Sequence, residues 1–287
     1  CMIDDIKGIA KANDLCNRYG LDTISTGAFV AFSMECCEKG IMAEKSVDGL
    51  PLEWGNVDAL IAMIHKIGNR EGLGALFADG IVKASKSLGQ EAEEIAVHVK
   101  GLDMPAHDPR AFFALALNYA TGNRGGCHER GNPQVASMGF LLPEAGISEN
   151  ADAHSMQNTE VITAKYQDYG CLVNSMCLCK FMFFGGFGLS SMLDCLNATT
   201  GWNWTMDQFL RTGERIFNLQ RKVNNKYGIS RKDDKLPKRM FEAAKEGGRA
   251  GKAPYDFELY LDKYYHFRGW DKEGRPTSEK LAELGIV

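Results

Sequence analysis

Helical periodicity in this chain is repeatedly closed by glycine, and that punctuation constrains the fold more than any other feature of the sequence. From Asp4 to Tyr19 the apolar residues Ile6, Ile9, Ala10, Leu15, Cys16 and Tyr19 recur at the spacing of one helix face, and Gly20 stands where a left-handed cap belongs. The short connection Leu21 to Ile24 then leads to Ser25, which can cap a second helix from Thr26 to Lys39, closed by Gly40. Further helical patterns over Val57 to Ile67 and Leu73 to Leu88 also end at glycine. Alternation of period two is confined to Ile95 to Val99. The expected fold is mainly α-helical, with no parallel sheet and no solenoid repeat.

The strongest interruption is Gly101 to Pro109, where Pro105 and Pro109 precede a strongly apolar stretch. It divides the chain into two expected helical domains, 1–104 and 105–287. Asp108 reads as an N-cap with Pro109 at the first helical position, opening a helix from Arg110 to Tyr119 that runs into the glycine-rich loop Thr121 to Arg130. Helix-like sequence resumes from Met156 to Phe184, and the charge-free run Phe181 to Leu193 reads as buried core. Thr205 to Gln208 matches a capping box and opens an amphipathic helix reaching Tyr227.

Composition narrows the class of partner. The 287 residues are 45% apolar and 24% charged, with a net charge of -4, which gives no basic footprint for nucleic acid or an anionic membrane. A small molecule or a protein is the expected partner. Phe181 to Leu193 is too short to span a bilayer. Nine cysteines, an odd number with no Cys-x-x-Cys, argue against a disulfide framework and for a reducing, cytoplasmic setting. Because the chain opens on Cys1 with no signal peptide before it, it is expected to be a piece of a longer protein.

Three places could carry chemistry. Asn17 to Gly27 sets a carboxylate, hydroxyls and free backbone N–H groups at a helix N-terminus, which suits an anion beside a polar heterocycle, although plain helix-turn-helix packing explains the same residues. Asn174 to Cys179 repeats its layout, Asn-x-x-Cys-Leu-Cys against Asn-x-x-Gly-Leu-Asp, and a layout used twice points to two related ligand groups. A lone Cys-x-Cys is weak evidence for a metal. The third place is His128, beside Cys127 and Arg124, where an imidazole could move a proton or donate a hydrogen bond. His107, before Asp108-Pro109, reads as structural, fixing the turn.

At these residues the chain resembles the aldehyde:ferredoxin oxidoreductases. The segments Asn17 to Gly27, Val99 to Arg110, Tyr119 to His128, Arg231 to Arg239 and Arg268 to Asp271 match segments of that family in order, over essentially the whole chain. The resemblance implies tungsten held by two pterins (a tungsten bis-pterin), with a 4Fe-4S cluster passing electrons to ferredoxin. It implies two helical domains, each giving one Asp-x-x-Gly-Leu-Asp/Cys motif to one pterin. The first motif maps onto Asn17, Gly20, Leu21 and Asp22, with Ser25 and Thr26 also holding pterin polar atoms, and the second onto Asn174, Cys177 and Leu178. Cys179 would be a cluster ligand and His128 the residue that hydrogen-bonds substrate or moves a proton.

The chain departs from the family pattern in two ways. Asn replaces Asp at the head of both motifs, and Cys177 stands where the family has Gly, so its backbone must manage without that freedom. The family's N-terminal domain, its Cys-x-x-Cys-x-x-x-Cys run and its catalytic glutamate have no counterpart in this sequence. One thiolate cannot hold a cluster. The resemblance therefore implies a C-terminal portion of an enzyme that oxidises small aldehydes to carboxylic acids, inactive and free of cofactor by itself and completed by the N-terminal domain, with assembly of like chains left open. The alternatives are an aromatic acyl-coenzyme A reductase subunit on the same scaffold, or a cofactor-free helical interaction protein.

Overall fold

The computed structural model describes residues 1–43 and 47–286. These fold into two compact units, Cys1–Ala106 with Pro237–Arg239, and His107–Leu236 with Met240 onward. Both are built chiefly from helices. Among the described residues no helix is long and apolar enough to cross a membrane.

The first unit contains α1 (Ile6–Tyr19), α2 (Thr23–Glu38), α3 (Val57–Asn69), α4 (Leu73–Leu76), α5 (Ile81–Leu88) and α6 (Gln90–Ile95). The Ile95 to Val99 strand is shorter than expected: Ile95 ends α6, and only His98–Val99 (β1) pairs, antiparallel, with Leu102–Asp103 (β2). The expected Leu73 to Leu88 helix is two helices: the first ends at Leu76, and the second begins at Ile81 after Gly80, whose φ of +88° is not helical. The start of α2 also differs from expectation. Asp22, not Ser25, is the cap, and its carboxylate accepts the Ser25 N–H at 2.8 Å, which brings Thr23 and Ile24 into the helix. Val30, Met34, Cys36, Met63 and Ile64 form the dry centre of this unit.

The second unit is organised around α8 (Thr159–Ser175), against which α7 (Ala114–Thr121), α11 (Met206–Lys226) and α12 (Phe257–Arg268) pack. The short α9 (Phe181–Phe184), α10 (Leu189–Thr200) and α13 (Ser278–Glu283) complete it. The capping box at Thr205 and Gln208 is present and opens α11 as expected. Two sequence expectations are overturned here. Asp108 does not cap a helix at Arg110; its carboxylate is taken by the Arg110 N–H at 2.8 Å and by the Arg110 guanidinium, and α7 starts only at Ala114. Nor is Phe181 to Leu193 uniformly core. Phe181 is 75% exposed and no residue of α9 is buried, whereas Leu189 and Met192 are fully enclosed.

A buried polar network locks α8 to its neighbours. The Arg268 guanidinium donates to Asp168 at 2.6 Å and to Gln167 at 3.0 Å, Tyr264 donates to the same Gln167 oxygen, and the Gln167 amide donates to Thr121 at 3.1 Å. Each of these groups would be costly to bury alone, so the set fixes the mutual placement of α7, α8 and α12. A second pair, Arg221 with Asp234, is fully buried and bidentate at 2.9 and 2.7 Å, and anchors the segment Arg231 to Leu236 on α11.

Candidate functional site

The two repeated layouts fold into the same turn. In the first, the Gly20 N–H donates to Asn17 O at 3.2 Å and the Leu21 N–H to Cys16 O at 2.8 Å. In the second, the Cys177 N–H donates to Asn174 O at 3.2 Å and the Leu178 N–H to Val173 O at 3.0 Å. Both close a helix through one left-handed residue, Gly20 at φ +70° and Cys177 at φ +56°. Both following leucines pack against the apolar core of their own unit, which pins each turn from beneath. Cys177 therefore occupies the conformation that glycine adopts at low cost, and an L side chain there is strained by about 1–2 kcal/mol.

The residues around each turn are exposed where a ligand could reach them. Asn17, Asp22, Asn174, Cys177 and Cys179 are all exposed, and Ser25 is half-buried. Thr26 is 3% exposed and donates its hydroxyl to the Asp22 carbonyl at 2.8 Å, so it braces the turn from inside. Behind the first turn lies a carboxylate to which no sequence motif points. Asp103, on β2, is 5% exposed, its Oδ1 has no hydrogen-bond partner among the described residues, and burial pushes its carboxyl up to about 6, against the pull of nearby Ser25. No spacing rule reveals it, because its burial depends on β2 packing beside α2.

His128 sits in a cavity of about 500 Å³ together with His107, Glu129, Lys180, Asn174 and Cys179. The loop that carries it is held at several points. Asn118 donates to Cys127 O at 3.3 Å, Asn123 to Phe217 O at 3.0 Å and Asn224 to Asn123 O at 2.7 Å. Gly170 of α8 lets the loop approach closely, since a Cβ there would lie 2.7 Å from the Arg130 carbonyl. His128 Nε2 lies 2.8 Å from Glu129 Oε1, and Lys180 Nζ lies 3.4 Å from Oε2 of the same carboxylate. The bond to His128, helped by the Lys180 charge, draws Glu129 down to about 2. Burial lowers Lys180, only partly offset by Glu129.

His107 does more than fix its turn. Its carbonyl accepts the Tyr119 hydroxyl at 2.9 Å, but its ring lies 4.3 Å from that of His128, centroid to centroid. Desolvation of the ring and the neighbouring imidazole both push His107 down, which favours its neutral form.

Residues 1–286 match the sequence model of the family described as aldehyde ferredoxin oxidoreductase, domains 2 and 3. The chain belongs to that family. A tungsten-containing aldehyde ferredoxin oxidoreductase of Pyrococcus furiosus is 39% identical over 289 aligned residues, covering 99% of this chain and 46% of that protein. Its namesake in Thermococcus kodakarensis is 38% identical with the same coverage. An aliphatic sulfonate oxidoreductase, WOR-like subunit, of Pyrococcus furiosus is 31% identical over 95% of this chain and 41% of its own length. The chain thus spans less than half the length of these relatives. Among solved structures, the active site complex BamBC of benzoyl coenzyme A reductase shares the fold, with a TM-score of 0.70 at 20% identity, over 94% of this chain and 45% of that one.

The chemistry of the family's cofactors can be set against these surfaces. Each turn offers exposed amide side chains beside a tightly closed backbone, and the first also offers the N-terminus of α2, a set suited to a polar heterocycle. Cys179 offers one exposed thiol. Among the described residues no three His, Cys, Asp or Glu gather into a metal-binding group, so an iron–sulfur cluster at Cys179 needs ligands from beyond them.

Two measurements follow from this geometry. Cys177→Gly should raise unfolding stability by about 1 kcal/mol in chemical denaturation, because glycine relieves the left-handed strain; a loss of stability would show that the thiol contributes packing worth more than the strain. Asp103 has a folded-state pKa raised to about 6, so its stabilising effect is complete below about pH 4 and is lost as pH rises toward 6. Asp103→Asn should therefore be neutral near pH 4 and stabilising by about 1–3 kcal/mol at pH 7, and an equal effect at both pH values would contradict the assignment.

Proposed function

We propose that this chain is the cofactor-facing portion of a tungsten–pterin, iron–sulfur oxidoreductase that converts aldehydes to carboxylic acids and delivers the electrons to ferredoxin. The observation that carries this reading is the pair of turns with matching hydrogen bonds, one in each compact unit. When bound, a tungsten bis-pterin supplies the two-electron redox chemistry and a 4Fe-4S cluster carries the electrons onward one at a time.

On this reading each of the candidate residues has a role. Asn17, Gly20, Leu21, Asp22 and Ser25 form the wall for one pterin, with Thr26 holding the turn. Asn174, Cys177 and Leu178 form the wall for the other, and Cys179 is the thiolate ligand this chain gives to the cluster. His128 is the proton-transfer residue. With Nε2 lying 2.8 Å from the Glu129 carboxylate, the other ring nitrogen, Nδ1, takes one of the two protons released as water and aldehyde become acid. Glu129 orients the ring from its Nε2 side, and Lys180 neutralises the carboxylate.

Anaerobic metal analysis of the full-length protein tests this directly. Tungsten and iron should both be present. Cys179→Ser should lose the iron–sulfur absorption while Cys177→Ser keeps it, and His128→Ala should lower kcat by about a hundredfold with metal content unchanged. Absence of both metals after anaerobic reconstitution, or unaltered turnover and pH profile in His128→Ala, would overturn the reading.

A further inference from the structure

The N-terminus of α2 has an acid behind it that the hydrogen bonds of the first turn do not require. Asp22 closes that turn alone: its carboxylate takes the Ser25 N–H at 2.8 Å and its carbonyl takes the Thr26 hydroxyl at 2.8 Å. Asp103 adds nothing to the cap. It is enclosed where β2 packs beside α2, at 5% exposure, and its Oδ1 has no hydrogen-bond partner among the described residues. An enclosed carboxyl with a free oxygen costs stability that an apolar side chain of the same size would not, so packing does not account for it.

The neighbour that Asp103 does engage is Ser25, whose side chain hydrogen-bonds with its carboxyl. Ser25 is only half-buried, so its hydroxyl has the enclosed acid on one side and ligand-accessible surface on the other. Around this corner lie Asp22, whose charge opposes a second one on Asp103, and Cys16 of α1, whose thiol burial keeps protonated. Lys100 is in the turn of the β1–β2 hairpin, and His98 stands across the strand pair from Asp103, its Nδ1 taking the Gly101 N–H at 3.4 Å. A hydroxyl has one proton to give. An ionised carboxylate can only accept, so it takes that proton, whereas a carboxylic acid can donate to the serine oxygen and release the serine O–H for use elsewhere.

We propose that Asp103 is a positioning residue that acts through Ser25: ionised, it turns the Ser25 hydroxyl inward and leaves its lone pairs for an N–H of the heterocycle at the first turn; protonated, it donates to the Ser25 oxygen and sends the Ser25 proton outward. Burial, against the pull of Ser25, holds the Asp103 carboxyl at about 6, so the exchange falls just below neutrality. The first turn therefore grips an N–H edge more firmly at neutral than at acid pH. The ligand-facing half of this device rests on the pterin reading of that turn; the coupling of Asp103 to Ser25 does not.

Two measurements on the full-length protein test the two halves separately. Infrared difference spectra across a pH titration should show a carboxylic C=O band that appears with a midpoint near pH 6, is absent in Asp103→Asn and moves in frequency in Ser25→Ala. Pterin still bound after gel filtration, quantified by fluorescence after oxidative release, should be lost about fivefold faster at about pH 5 than at about pH 7.5, the worth of one hydrogen bond. In Asp103→Asn and in Ser25→Ala that ratio should fall to about one, which a purely structural role for either side chain does not produce. A band unmoved in Ser25→Ala would overturn the coupling, and the same pH ratio in the variants as in the parent would overturn its effect on the ligand. A protein that holds no pterin at either pH would overturn the oxidoreductase reading and the ligand-facing half with it, while the infrared result would still stand or fall by itself.

Discussion

One left-handed residue at the end of a helix sets up each candidate cofactor surface. A helix that ends freely leaves its last carbonyls to water and its next residue undirected. At Gly20 and Cys177 the chain instead folds back, satisfies carbonyls three and five residues earlier, and drives a leucine into the core below. The following residue then has one direction open to it. At Asp22 this places a carboxylate over the first amides of α2; at Cys179 it places a thiol at the rim of the His128 cavity. That the second turn keeps this form with cysteine in the strained position shows how strongly the surrounding packing imposes it.

The second unit adds a rigid frame to its turn. The Arg268, Asp168 and Gln167 network joins α7, α8 and α12, and the same α8 supplies Gly170, where the His128 loop approaches, and Asn174, where the second motif begins. Histidine, thiol and amide are therefore positioned from one helix and one loop braced against it. Polar groups this deeply buried cost stability unless all are satisfied, and here they connect the elements on which the cavity depends.

Much of this could be read in the sequence because it rests on local rules. Gly20, the capping box at Thr205 and the repeated Asn-x-x-x-Leu spacing each act within one turn of chain, so the helical class and both motifs were legible. What escaped depends on tertiary contacts. Asp108 looked like a cap but is claimed by Arg110; Phe181 looked like core but faces a cavity; His107 looked like a turn residue until its ring met His128. Asp103 gave no signal at all, since a carboxyl becomes unusual only once it is enclosed. The family relationship came from ordered motifs, whereas the charge balance of the cavity needed side chains from a loop and from the helix beyond the second turn brought together in space.

On the proposed function, two equivalent turns each hold one pterin. Pterin quantified by fluorescence after oxidative release from the intact protein, set against its tungsten, tests this most directly. Two pterins per tungsten are expected, falling in parallel with tungsten when either turn is disrupted by Leu21→Asp or by Leu178→Asp in folded protein. One pterin per tungsten, or full pterin content with either turn broken, would contradict it.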